Sequence, residues 1–235
     1  MASSRPLIIA HRGLAERGAR NTLIAFERAI QAGADMVECD VRQAQDGFVV
    51  FHNARIRGRR IAGMTKAEIS RRAGVNVPWL TDVLKLAQRG MGLNVELKEA
   101  GDVAEIIGLV RQYCDPRRTI ISSFLDSVVV QSKRVAPEFR TSLMLGNPNP
   151  LTSLSGRWSE LYPGRRLERI KCDLSSPFQG YAQLGAVARA DGAGRQSIVW
   201  TVNSRRGLKR WLKDPRVFGV TTDRTDLAIE IAKTL

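Results

Sequence analysis

Only two histidines occur in the 235 residues, His11 and His52, and each closes a short apolar run, Leu7-Ile-Ile-Ala and Phe48-Val-Val-Phe. Between them lies Glu38-Cys39-Asp40, with two carboxylates two positions apart; further on, Glu96-Leu97-Lys98 repeats that spacing with a carboxylate and an ammonium. On a strand, the period of two puts Glu38 and Asp40 on one face with Cys39 on the other, and likewise puts Glu96 and Lys98 together. Charged groups inside a fold are costly unless they are paired or bind a metal. Three carboxylates without a cysteine or histidine cluster describe a hard-cation site, for Mg²⁺ or Ca²⁺ rather than zinc. With Arg12 beside His11, the set suits phosphoryl transfer. The cation and Arg12 would neutralise phosphate oxygens, while one imidazole takes a proton from the nucleophile and the other supplies one to the leaving alkoxide. Each such acid or base is typically worth ~10²–10⁴ in rate.

For these residues to meet, the runs that carry them must lie side by side. Short β-branched and apolar runs alternate with amphipathic segments along the whole chain, the pattern of βαβα architecture. Strands are expected at Leu7–His11, Met36–Val41, Phe48–His52, Leu93–Lys98, Thr119–Phe124, Thr141–Leu145, Arg169–Leu174, Ser197–Val202 and Phe218–Thr222. Helices are expected at Thr22–Ala32, Trp79–Gln88, Val103–Cys114, Ser127–Val135, Gly180–Ala190, Ser204–Lys213 and Asp226–Lys233, with Gly146–Arg166 the least regular stretch. Val41 and Phe48 are too close for a parallel crossover, which needs about a dozen residues. Those two runs must therefore form a hairpin about Gln45–Gly47, which brings His52 back beside Asp40. Without the return arm, eight strands remain, and about 250 residues is usual for a TIM (β/α)8 barrel. The rival, an open doubly wound sheet, lacks a GxGxxG or GxxxxGK[ST] after any strand. In a barrel the site lies at the C-terminal ends of the strands, which is where His11, Asp40 and Lys98 fall. A single barrel domain over residues 1–235, with a hairpin after the second strand, is expected.

Composition narrows the class. The chain is 43% hydrophobic and 26% charged, ordinary for a globular protein, and no run approaches the ~18–20 apolar residues of a membrane span. The opening residues hold too short an apolar run for a signal-peptide core, and the three cysteines form no CxxC pair. Both observations point to a cytoplasmic location. The net charge of +14, from 37 Lys and Arg against 23 Asp and Glu, predicts anionic partners. Nucleic acid is not expected among them, because the arginines are dispersed and aromatic residues make up only 6%.

The residues also resemble a known family. Ile9-Ala-His-Arg-Gly, Asn21-Thr22 with Ala25-Phe26, Gly33-Ala-Asp-Met-Val-Glu-Cys-Asp-Val41 and Asp46-Gly-Phe-Val-Val-Phe-His52 are similar, in order and spacing, to the glycerophosphodiester phosphodiesterases. The likeness continues through Leu93-Asn-Val-Glu-Leu-Lys98, Ile121-Ser-Ser-Phe124, Val199-Trp-Thr-Val-Asn203 and Gly219-Val-Thr-Thr-Asp223, nearly the whole chain. It implies a TIM barrel that cleaves glycerophosphodiesters to glycerol 3-phosphate and an alcohol with a divalent cation and two histidines. It implies Glu38, Asp40 and Glu96 as metal ligands and His11 and His52 as the acid/base pair. Arg12 and Lys98 would hold phosphate, and Trp200, with Phe124, would form an aromatic floor near the glycerol moiety. A Trp on a barrel strand serves equally well as core, so packing is the rival role for Trp200.

The chain departs from the family at Arg20, where an acid is usual, and at Asn53, where Asp is usual. Arg20 changes the local charge by about two units, enough to favour a more anionic substrate or to disturb the site. The segment between His52 and Pro78, which the resemblance implies is a short cap insertion beside the site, carries Arg55, Arg57, Arg59 and Arg60. Two related readings use the same residues. One is a lysophospholipase D-like enzyme acting on a lipid phosphodiester, which an apolar rim around the barrel mouth would favour; the other is a barrel that binds phosphodiesters without turnover.

Overall fold

In the computed structural model, which describes residues 5–14, 19–146 and 154–235, buried strands alternate with helices. The first half holds β1 (Leu7–His11), α1 (Leu23–Ala32), the hairpin β2 (Met36–Ala44) and β3 (Gly47–Val50), and a cap formed by the hairpin β4 (Arg55–Ile56) and β5 (Arg59–Arg60) with α2 (Lys66–Ala73). It continues with α3 (Leu80–Ala87), β6 (Gly92–Leu97), α4 (Val103–Tyr113), β7 (Thr119–Ser123), α5 (Asp126–Val135) and β8 (Arg140–Leu145). The rest comprises α6 (Leu154–Leu161), α7 (Gly164–Ile170), β9 (Leu174–Pro177), α8 (Gln179–Tyr181), α9 (Val187–Gly192), β10 (Gln196–Val199), α10 (Arg205–Trp211), β11 (Val217–Thr222) and α11 (Thr225–Ala232).

Strand order β1-β11-β10-β9-β8-β7-β6-β2 with a further β1–β2 pairing closes the parallel sheet into a barrel of eight, and β3 hangs antiparallel on β2. The strands are buried along nearly their full length, as expected for parallel strands covered on both faces. Ile9, Met36, Ile120, Leu174 and Ile198, from five different strands, pack into one buried cluster inside the barrel. Counting two residues up from each reaches His11, Glu38, Ser122, Ser176 and Trp200. The apolar cluster is thus the floor, and the polar ends of the strands stand above it.

Helix ends explain how the chain turns beneath the site. Thr22 caps α1 by accepting from the Ala25 amide, and Gly33 ends it in the left-handed region. Gly13, at φ 80°, has no room for a side chain, since a Cβ there would lie 2.6 Å from the Ala25 carbonyl carbon. The loop after β1 therefore folds directly onto α1.

The expected barrel and hairpin are present, and most element ends shift by one to three residues. The strand expected at Arg169–Leu174 is corrected. Residues up to Ile170 belong to α7, whose buried Leu167 and Ile170 are three apart, a helical spacing, and the strand begins only at Leu174. The sequence of β9, Leu-Ser-Ser-Pro, has little apolar character because its serines bond laterally, Ser176 to Ser142 at 2.7 Å and Ser175 to Ser197 at 2.8 Å. The helix expected at Gly180–Ala190 is split by a π turn at Ala182–Ala186 with Gly185 at φ 95°. The cap helix α2, held by a Thr65/Glu68 capping box, was not expected, nor were α6 and α7. Of the irregular stretch Gly146–Arg166, residues 147–153 lie outside the described residues. No helix among the described residues is long and apolar enough to cross a membrane.

Candidate active site

Glu38 and Asp40 rise from β2 and Glu96 from β6, with Asp40 directly beside Glu96 in the strand register. All three are buried, and ligand oxygens from the three lie within 4.8 Å of one another. Two cations balance them. Lys98 Nζ lies 2.7 Å from Asp40 Oδ1 and also contacts Glu96, while Arg12 Nε lies 3.0 Å from Asp40 Oδ2. Asn21 donates to Asp40 Oδ2 at 2.7 Å, and the Arg12 amide donates to Glu38 Oε2 at 2.9 Å. Arg12 and Asn21 both have positive φ, 60° and 57°, and the Asn21 amide bonds the Arg12 carbonyl at 3.0 Å, which sets these two donors together against the carboxylates.

Burial acts against the charge on all three carboxyls, and their neighbours decide the outcome. For Asp40, Lys98 and Arg12 outweigh burial and hold the group at about 2. Glu38 is pushed well above the usual carboxylate range by burial and by the charges of Asp40 and Glu96, and burial raises Glu96 to about 7 despite Lys98. Glu38 Oε1 is buried and accepts no hydrogen bond among the described residues. An oxygen-only set of three converging carboxyl groups with an unused buried lone pair fits a hard divalent cation. Glu38, Asp40 and Glu96 are the residues that could hold it.

The two imidazoles flank this cluster and are held differently. His11 stands beside Glu38 in the β1–β2 register, and its Nδ1 lies 2.8 Å from Asp223 Oδ1, just past the end of β11. A carboxylate only accepts, so Nδ1 carries the proton and Nε2 keeps its lone pair. Asn203 donates to the other oxygen of Asp223 at 2.7 Å and accepts from the Asp223 amide, fixing the carboxylate. Arg20 reaches the same carboxylate at 3.2 Å. The unusual arginine therefore does face the site, from its rim. Burial lowers the His11 pKa, and Asp223 opposes that shift.

His52 follows the return arm of the hairpin. The Phe51 amide bonds the Asp40 carbonyl at 2.9 Å, which keeps His52 next to Asp40 as the turn spacing required. Burial lowers the His52 pKa, while the charge of Asp40 works the other way. Its Nδ1 lies 2.9 Å from Asn53 Oδ1, and its carbonyl accepts from Arg42 Nε at 2.8 Å.

The opposite wall is aromatic. Trp200 packs edge-on against Phe124 at 5.5 Å and Phe178 at 5.6 Å, with its indole N–H donating to the Ser176 carbonyl at 2.6 Å. Lys98 lies 5.9 Å over the Phe124 ring. Ion pairs, strand register and ring contacts thus link all nine residues singled out from the sequence around the carboxylates. Asp223, Asn203, Asn21 and Phe178 join them; the first three stood in the motifs without a role, and only their position just beyond a strand end, or just before a helix, could have marked them.

The whole arrangement offers proton acceptors and donors on either side of a carboxylate cluster that could hold a cation, with arginine and lysine for anionic charge. Comparison with known proteins agrees with that chemistry. Residues 11–227 match the glycerophosphoryl diester phosphodiesterase family. A glycerophosphodiester phosphodiesterase of Caldanaerobacter subterraneus subsp. tengcongensis is 26% identical over 251 residues, covering 97% of this chain and 98% of the relative. A Mycobacterium tuberculosis protein named probable glycerophosphodiester phosphodiesterase 2 is 29% identical over 247 residues, covering 96% of this chain and 90% of its own length. Among solved structures, an Oleispira antarctica phosphodiesterase in complex with the product sn-glycerol-3-phosphate superposes with a TM-score of 0.78 at 25% identity, covering 97% of each chain.

Proposed function

Since the chain belongs to the glycerophosphoryl diester phosphodiesterase family, we propose that it hydrolyses small anionic glycerophosphodiesters to glycerol 3-phosphate and an alcohol, with a divalent cation and His11 and His52 as the acid/base pair. The observation that carries this reading is the buried Glu38, Asp40 and Glu96 cluster set between two imidazoles. When bound by those carboxylates, Mg²⁺ or Ca²⁺ supplies neutralising charge and Lewis acidity at a phosphate oxygen.

The residues of the chain supply the rest. One imidazole takes the proton of the glycerol 2-hydroxyl as its oxygen attacks phosphorus, and the other protonates the alkoxide as the phosphorus–oxygen bond to the alcohol breaks. The histidines then exchange roles when water opens the cyclic phosphate. Asp223 holds the His11 ring and favours its protonated form, and Asp40 does the same through space for His52. Arg12 brings positive charge to the phosphate side of the carboxylates. Trp200 and Phe124, packed edge to face, offer apolar surface for the glycerol carbons, so packing and substrate contact are served by the same rings. The three cysteines, all free and buried, support a cytoplasmic location.

The test is release of glycerol 3-phosphate from glycerophosphocholine, glycerophosphoethanolamine and glycerophosphoinositol, with chelator or with added Mg²⁺ or Ca²⁺. Turnover that needs the cation and is lost in His11→Ala is the expected result. A folded protein inactive on all three substrates under every metal condition would overturn it.

A further inference from the structure

The barrel mouth carries an exposed aromatic edge beside the site. Trp158 on α6 and Tyr162 just after it stack with ring centroids 5.0 Å apart, and they are 60% and 48% exposed. Arg189 covers the Tyr162 ring at 4.0 Å and donates to the Leu161 and Leu184 carbonyls, which ties α6 to the π turn presenting Leu184 at 62% exposure. Phe178, 40% exposed, continues the edge inward to Trp200. Phe178 follows the C-terminal end of β9 and packs on Trp200, and α6 packs on the π turn that comes next, which sets the edge beside the face of the barrel that carries the carboxylates.

Contiguous exposed apolar side chains on a soluble fold mark an interaction surface. Their type narrows the partner. Trp and Tyr have apolar rings with a polar tip, which suits the boundary between headgroups and hydrocarbon. Arginine stems are apolar to the guanidinium and can lie along such a boundary with the charge at the phosphates. Arg157 is exposed on the same helix, and the whole chain carries +14. That charge disfavours a second copy of the chain, which would bring the same arginines to the contact, and favours a negatively charged surface.

We infer that the edge formed by Trp158, Tyr162, Leu184 and Phe178 docks the barrel mouth on an anionic phospholipid bilayer, with Arg157 on lipid phosphates. The docking is independent of the hydrolysis proposed above. Its consequence, access of the site to glycerophosphodiesters held at a lipid surface, rests on that reading.

Co-sedimentation with vesicles tests the docking directly. Vesicles of phosphatidylcholine mixed with phosphatidylglycerol are expected to carry the full chain down, and phosphatidylcholine alone to carry far less. Trp158→Ala combined with Tyr162→Ala is expected to weaken binding roughly tenfold through lost apolar contact, and Arg157→Gln about fivefold through lost charge, with unchanged circular dichroism. Equal binding by wild type and variants, or no binding to either vesicle, would overturn the inference. A dimer in sedimentation velocity that Trp158→Ala dissolves would assign the edge to a second copy and also overturn it. Hydrolysis of soluble glycerophosphocholine, measured in parallel, reads the proposed function separately.

Discussion

His11 and Asp223 stand 212 positions apart, yet their side chains meet at 2.8 Å because β1 and β11 are neighbours in the closed barrel. The contact settles which nitrogen of His11 is free and gives its protonated form a fixed counter-charge.

Asp223→Asn removes that counter-charge while leaving the ring in place. Activity is expected to fall about 10²-fold or more in kcat, with a smaller change in KM. The sign of the pH effect follows from the direction of each influence: Asp223 raises the His11 pKa against burial, so its loss lowers that pKa further. The limb of the kcat/KM profile set by His11 is then displaced to lower pH. A profile with both limbs unmoved would mean that Asp223 does not support His11.

Cation binding is expected to release protons. Glu96 lies at about 7 and burial biases Glu38 toward its protonated form, so a divalent cation, which needs both ionised, displaces protons as it binds. Affinity for Mg²⁺ or Ca²⁺ falls as the pH drops below about 7, by roughly tenfold per unit for each proton displaced. Calorimetric titration in two buffers of different ionisation enthalpy measures the proton count; a count of zero contradicts the carboxylate site.

Arg20 holds a half-exposed guanidinium against Asp223 at the rim. Arg20→Gln is expected to raise KM several-fold for glycerophosphodiesters whose alcohol carries its own negative charge, and to leave KM for glycerophosphocholine within about twofold, as suits a solvent-screened charge. Equal changes for both substrates would reduce Arg20 to a prop for Asp223.

Gly13→Ala is expected to cost at least ~1 kcal/mol of stability, because φ 80° strains any side chain and the added carbon would press on the Ala25 backbone. The neighbouring Arg12 amide, which holds Glu38, would shift with it. Urea unfolding and cation affinity measured on one preparation check both effects. A variant as stable as wild type would show that the loop relaxes freely.

Much of the site is legible in the sequence because it depends on local periodicity. The period of two places Glu38 with Asp40 and Glu96 with Lys98, and the short hairpin brings His52 to Asp40; neither inference needs the rest of the fold. The partnership of His11 with Asp223 and Asn203 depends on barrel closure between strands far apart in sequence, which no local pattern encodes. Lys98 shows the same limit from another side. Its spacing from Glu96 is plain, but only the β2–β6 register reveals that it also lies on Asp40. The strand β9 was displaced toward α7 because a buried pair of serines replaces the apolar residues by which strands are recognised, and the cap helix α2 is too polar to show a strong apolar stripe.

Barrel closure also divides the site unevenly along the chain. Glu38, Asp40 and Glu96 all lie within the first 96 residues, whereas the counter-charge of His11 comes from residue 223. A chain cut before Val217 would keep every carboxylate of the cluster yet lose both the strand that closes the barrel on β1 and the partner of the His11 ring.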